Sequence, residues 1–71
     1  MNIIELLKKI VEDHQFMKVK FIDGSMQVDA WTANAMITVY NSLKEENQTK
    51  FSEMIKKKNG FIKMANFAYK N

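Results

Sequence analysis

A capped amphipathic helix in the middle of the chain is the element on which the flanking segments have to pack. Its segment, residues 28–43, reads V-D-A-W-T-A-N-A-M-I-T-V-Y-N-S-L. Asp29 is a favourable N-cap, because its carboxylate can accept hydrogen bonds from the free N–H groups of the first turn. An apolar stripe follows at helical spacing, made of Ala33, Met36, Ile37, Tyr40 and Leu43. The sequence therefore predicts a helix over 30–43, with Trp31 on the side opposite to this stripe.

The length of the chain limits the core that it can build. Its 71 residues predict one domain, 1–71, near the size at which a single core is only just sufficient. The chain has no Cys, which excludes disulfides and thiolate metal ligands as a compensation. Association into a dimer is another way to bury apolar surface, and we expect a homodimer.

The first helix is predicted over residues 2–15, where Ile3, Leu6, Leu7 and Ile10 recur at helical spacing. The single histidine, His14, falls near the end of this helix. A metal or acid–base role would need partners, and neither a second His nor a Cys is present. We interpret His14 as a cap of the last helical carbonyls, where a cation is favoured.

Residues 16–28 change from helical to alternating periodicity. Val19 and Phe21 alternate with lysines, and Asp23-Gly24 is a dipeptide typical of tight turns. A short β-hairpin at 18–28 is the preferred interpretation, and an extended loop anchored by its apolar side chains is the alternative.

Two further helices are predicted, over 45–58 and 61–69. Lys44 is a poor N-cap for the first of them, whose buried residues would be Phe51, Met54 and Ile55. Asn59-Gly60 is interpreted as its stop, with Gly60 adopting a positive φ. We therefore expect a mainly α fold, a small bundle of three to four short helices. The predicted core is Leu7, Ile10, Val11, Ala33, Ile37, Tyr40, Phe51, Ile55, Met64 and Ala68.

The charge of the chain is unevenly distributed. The net charge is +3 and every basic residue is Lys. Residues 1–49 hold five Lys against seven Asp and Glu, whereas residues 50–71 hold six Lys against one Glu. Without Arg, bidentate reading of bases is disfavoured.

No run of the sequence is apolar enough to cross a bilayer, and no signal-peptide pattern is present. We therefore expect no membrane association and a cytoplasmic protein. If the protein is phage-encoded, this is the cytoplasm of the host cell.

The central segment also resembles a known group of proteins. The pattern V-D-x-x-T-A-x-A-x-x-x-V-Y-x-x-L over residues 28–43, followed by Glu45-Glu46-Asn47 and Lys50-Phe51, is similar to small proteins of tailed bacteriophages. The resemblance covers residues 24–67 and implies a phage origin and a short helical domain. It implies no activity, and Lys44 stands where those proteins often have Asn.

The sequence leaves three functional classes open. The preferred one is a protein-binding module that either modulates or inhibits a host protein or works as a small homo-oligomer. Its candidate interface residues are Trp31, Phe21, Met26, Phe61 and Phe67, although packing of Trp31 beneath residues 16–28 is an equally plausible alternative. The second class is nucleic-acid binding without sequence specificity, through Lys50, Lys56, Lys57, Lys58, Lys63 and Lys70. The third, an enzyme, is disfavoured because no catalytic, cofactor, metal or small-molecule motif was found.

Overall fold

The chain folds into four helices and one hairpin within the residues that the structure, a computed structural model, describes, which are 2–70. The elements are α1 (Ile3–Asp13), β1 (Met17–Phe21), β2 (Gly24–Val28), α2 (Ala30–Ser42), α3 (Glu45–Met54) and α4 (Lys58–Lys70). The mainly α fold and the hairpin are both confirmed. Helix α2 packs against α1 on one side and α4 on the other.

The hairpin is antiparallel and closes with a two-residue loop. Phe21 pairs with Gly24 and Met17 pairs with Val28, so Ile22 and Asp23 form the loop. Gly24 has a φ of 147°, a conformation that residues with a Cβ rarely adopt. Alternation places Val19, Phe21 and Val28 in the core. A two-stranded sheet is marginal alone, and this one is stabilised by packing against the helices.

Helices α1 and α2 both begin at side chains that cap the first turn. The Asn2 carboxamide oxygen accepts a hydrogen bond of 2.8 Å from the backbone N–H of Glu5. The Asp29 carboxylate accepts one of 2.8 Å from the backbone N–H of Thr32, as the sequence predicts. His14 does terminate α1, but through its backbone: it adopts the left-handed conformation, with a φ of 55°, and its N–H donates to the Val11 carbonyl.

The junction between α3 and α4 differs from the prediction. Helix α3 ends at Met54 instead of Lys58, and α4 begins at Lys58 instead of Phe61. Gly60 is not a stop with positive φ, but lies in the first turn of α4. A Cβ on Gly60 would lie 2.0 Å from the Met54 carbonyl oxygen, so only glycine allows the two helices to meet this closely.

The hairpin loop holds this junction in place. The backbone N–H of Ile22 donates to the carbonyl of Lys56 at 2.9 Å. The Asp23 carboxylate accepts a hydrogen bond of 2.8 Å from the backbone N–H of Lys58. The start of α4 is thus capped by a side chain 35 residues earlier in the sequence.

The core brings the hairpin and α4 together. Phe21 and Phe61 are 9% and 0% exposed, and their ring centroids lie 5.0 Å apart. Around them lie Ile4, Leu7, Ile10, Val19, Val28, Ala33, Met36, Phe51, Ile55, Ala65 and Ala68. Met54, predicted to be buried, is 45% exposed. Four predicted core residues lie at its edge, half-buried: Val11, Ile37, Tyr40 and Met64.

Candidate functional site

Trp31 is the largest side chain that the fold leaves in solvent. It lies in the first turn of α2 and is 75% exposed. The hairpin does not cover it, so packing of Trp31 beneath residues 16–28 is ruled out. Its backbone is held in a helix whose N-terminus is capped by Asp29. The indole ring is therefore presented from a rigid element.

Tyr69 lies beside Trp31 and is fixed by a hydrogen bond. Its hydroxyl group is hydrogen-bonded to the hydroxyl of Thr32, the neighbour of Trp31 in α2. Trp31 and Tyr69 line one shallow depression together with Asn34, Ala35 and Ala68. The ring of Tyr69 is 51% exposed, although the sequence places this residue in the apolar arc of the last helix. The two aromatic rings form one surface built from two helices.

A second depression adjoins this surface across Thr32. It is lined by Phe16, Met26, Gln27, Val28, Asp29 and Thr32. Phe16 is 64% exposed, and Met26 is half-buried on the inner side of the hairpin, opposite Val19. Thr32 lines this depression and its hydroxyl group contacts that of Tyr69, so Thr32 connects the depression of Phe16 with that of Trp31 and Tyr69. We call Phe16, Trp31 and Tyr69, with Thr32 between them, the aromatic face.

The aromatic face is nearly free of charge. Asp29 is the one charged residue that lines either depression, and its carboxylate is engaged in capping α2. The hydrogen bond from the backbone N–H of Thr32, followed by one from its side chain, lowers the pKa of Asp29 from its ordinary value of 3.8. This carboxylate stays ionised at neutral pH. None of the 11 lysines lines these two depressions.

The five predicted interface residues separate into different environments. Trp31 belongs to the aromatic face, and Met26 lines the depression that holds Phe16 and Thr32. The predicted exposure of Phe21 and Phe61 is wrong, because the two rings pack together in the core. Phe67 is 50% exposed on α4, and it lines neither of the two depressions.

The candidate interface residues predicted from the sequence do not include Tyr69, and Phe16 is expected at an interface only as part of residues 16–28. Tyr69 carried a usable signal, since at 100° per residue it lies about 80° from the buried Phe61, at the margin of the apolar arc. A tyrosine at such a margin typically keeps its hydroxyl group at the surface. Phe16 lies just before β1, where neither periodicity applies.

The six C-terminal lysines lie in several environments. Lys57 and Lys63 line one depression, but Asp23 and Glu53 line it as well. The Lys56 ammonium is ion-paired with Glu53 at 3.1 Å. Lys58 is half-buried with its aliphatic stem over Gly24. Lys50 and Lys70 are exposed on α3 and at the end of α4. The surface around Lys57 and Lys63 is therefore mixed in charge.

Another groove lies between the start of α1 and helix α3. It has a volume of about 520 Å³, and its walls include Ile4, Tyr40, Gln48 and Ser52. The Gln48 side-chain amide donates to the Tyr40 carbonyl at 2.9 Å, and Lys56 and Glu53, which also line the groove, form an ion pair. No histidine lines this groove.

Residues 2–70 carry neither of two further features, a metal-ligand cluster and a membrane-spanning helix. No three His, Asp or Glu side chains among them are grouped as metal ligands would be. No helix within this range reaches the length and apolar character needed to cross a bilayer.

Comparison with protein-family models, with curated proteins and with solved structures gave no match. The aromatic face is therefore interpreted from its own geometry.

Proposed function

We propose that this protein is a small protein-binding module without catalytic activity, and that the aromatic face is its binding surface. The observation that supports this most strongly is the 75% exposure of Trp31 beside Tyr69. Tryptophan and tyrosine are enriched among the residues that dominate binding energy at interfaces. A Trp that is exposed on its helix does not pack in the core of the protein. Folding therefore does not explain why a Trp stands at this position.

The energy available from this face is considerable for a small domain. A Trp side chain buries about 150–250 Å² when fully covered. Covering the exposed part of Trp31 at about 25 cal/mol per Å² would contribute about 3 kcal/mol. Phe16 and Tyr69 add apolar area next to it, and the polar groups of Thr32, Asn34 and Gln27 can form hydrogen bonds at the margins.

The geometry also favours rigid binding. Trp31 and Tyr69 are both on helices, and the hydrogen bond between Thr32 and Tyr69 links those helices. Because this hydrogen bond already orders the Tyr69 side chain, Tyr69 loses less entropy on association, which improves affinity. A protein partner is proposed, either a host protein, as a phage origin would imply, or the chain itself. Binding would take place in the cytoplasm, where a small domain without Cys is typical.

The test is a comparison of three tagged proteins as bait in a bacterial lysate. Trp31→Ala removes the indole ring from the aromatic face, and Ile22→Ala is a matched control, since Ile22 is also 75% exposed but lies in the hairpin loop. We expect partners captured by the unmodified protein to be lost with Trp31→Ala and retained with Ile22→Ala. Captured proteins that bind Trp31→Ala equally well would contradict the proposal.

The lysines offer a second candidate function, nucleic-acid binding, which the shared location of Lys57 and Lys63 favours. Asp23 and Glu53 in the same depression oppose it, because phosphate contacts need uniformly positive potential. Binding to duplex and single-stranded DNA at two salt concentrations separates the two functions. Strong salt-dependent binding that is lost with Lys57→Ala and Lys63→Ala would favour the lysines over the aromatic face.

A further inference from the structure

We infer that the partner of the aromatic face is a second copy of this chain, related by a two-fold axis; the inference rests on the proposed binding function of that face. A two-fold interface brings the same patch of both molecules together, so the patch has to be complementary to itself. Whether the aromatic face meets this requirement depends on its shape, its charge and its area.

The relief of the face places a projecting ring and a recess side by side. Trp31 projects into solvent, and directly beside it lies a depression of about 180 Å³ whose walls include the small side chains of Ala35 and Ala68. A projecting ring next to a shallow recess allows the Trp31 ring of each copy to enter the recess of the other. Aromatic rings that meet in this way also gain from offset or edge-to-face contacts.

The charge of the face suits contact between identical molecules. Two copies that each carry a net charge of +3 repel one another wherever their lysines meet. On the aromatic face no lysine is present, and Asp29 is hydrogen-bonded within its own helix. This face can therefore be buried against itself without bringing uncompensated lysines together. A strongly acidic or basic partner would find no opposite charge here apart from Asp29.

The area of the face predicts a weak dimer. Stable complexes bury about 800 Å² per partner, which is about one sixth of the 4992 Å² surface of this structure. Three partly exposed aromatic residues and their margins supply less than that. We therefore expect an equilibrium between monomer and dimer, populated at high protein concentration.

The test is sedimentation equilibrium from about 1 µM to about 1 mM protein, a range that covers weak dissociation constants. The weight-average mass should rise from 8.3 kDa towards twice that value. Trp31→Ala should raise the dissociation constant at least about thirtyfold, the effect of losing a dominant interface side chain. Asn34→Lys should do the same, because it places a charge beside Trp31 at an exposed helical position. Ile22→Ala, in the hairpin loop, should leave the constant unchanged.

Two results would overturn the inference. One is a monomeric mass for the unmodified protein up to the highest concentration. The other is a dimer that persists in both Trp31→Ala and Asn34→Lys, with helical circular dichroism showing that the variants are folded. If the protein is monomeric but captures another protein in a Trp31-dependent manner, the partner is not a second copy of this chain. The proposed function stands in that case. If neither association depends on Trp31, both fail.

Discussion

The Asp23 carboxylate accepts a hydrogen bond of 2.8 Å from the backbone N–H of Lys58, the first residue of α4. The first N–H groups of a helix have no partner inside the helix. Here a residue of the hairpin loop supplies that partner, and the nearby bond from Ile22 to the Lys56 carbonyl fixes the loop at the same point. The hairpin therefore contributes to the folding of a helix that begins 35 residues later.

Replacement of Asp23 should destabilise the whole fold through α4. Asp23→Ala leaves the Lys58 N–H without its acceptor, and we expect a loss of about 1 kcal/mol in the free energy of unfolding. Asp23→Asn keeps an acceptor oxygen and should lose less. Urea unfolding followed by circular dichroism measures both. An Asp23→Ala protein as stable as the unmodified one would show that this cap contributes nothing.

Gly60→Ala should be destabilising, against the usual effect of this substitution in a helix. Alanine normally stabilises a helix by about 0.5–1 kcal/mol relative to glycine. At position 60 its Cβ would lie 2.0 Å from the Met54 carbonyl oxygen, so α3 and α4 would have to move apart. We expect a loss of about 1–3 kcal/mol, as for other overpacked sites. Asn59→Ala, at the neighbouring exposed position, is the control and should be neutral within about 0.5 kcal/mol. An increase in stability for Gly60→Ala would contradict the close approach of the helices.

A better N-cap residue at position 44 should stabilise helix α3. Lys44 is its N-cap residue and makes no capping hydrogen bond with its side chain. Lys44→Ser supplies a hydroxyl acceptor for the first turn, and we expect a gain of about 1 kcal/mol in the free energy of unfolding. Lys44→Ala removes the same charge without supplying an acceptor, so it should show no such gain. Equal stability of the two variants would indicate that position 44 does not act as the N-cap.

The cap at Asp29 should make stability depend on pH in the acid range. The hydrogen bond from the Thr32 N–H lowers the pKa of Asp29 in the folded protein below the value of 3.8 that applies to an unperturbed carboxyl group. A lowered folded-state pKa contributes stability that is present above the unfolded-state pKa and lost as the pH falls through the folded-state pKa. Asp29→Asn retains an acceptor without a charge. The unmodified protein should be more stable than Asp29→Asn above about pH 5, and the difference should shrink below about pH 4. A difference that stays constant from neutral pH to about pH 2 would contradict this linkage.

The elements that depend on local sequence could be predicted. The periodicity of α1 and α2, the Asp29 cap and the poor cap at Lys44 are all properties of neighbouring residues, and the structure confirms them. The hairpin was also predicted, since alternation and the turn at Asp23-Gly24 lie within a few residues.

The junction of α3 and α4 could not be predicted because its determinants are distant in sequence. Nothing near Lys58 indicates that Asp23 caps it, and nothing near Gly60 indicates the contact with the Met54 carbonyl. Phe61, a candidate interface residue from the sequence, lies in the core instead, because its ring is covered by Phe21 of the hairpin. The helical wheel places Trp31 opposite the apolar stripe of α2, but whether the hairpin covers it depends on tertiary packing. Its association with Tyr69 depends on how α2 and α4 pack, which the sequence pattern does not specify.

The exposure of Trp31 in the folded monomer, and the loss of that exposure on binding, can be measured directly by fluorescence. Trp31 is the one tryptophan of the chain, so its fluorescence reports on this position alone. We predict that in dilute folded protein acrylamide quenches the emission nearly as strongly as that of an unfolded sample. At high protein concentration or with a captured partner, quenching should fall and the emission should shift to the blue. A Trp31 that is protected from acrylamide in dilute folded protein, or that stays equally accessible in every complex, would contradict the assignment of the aromatic face as the binding surface.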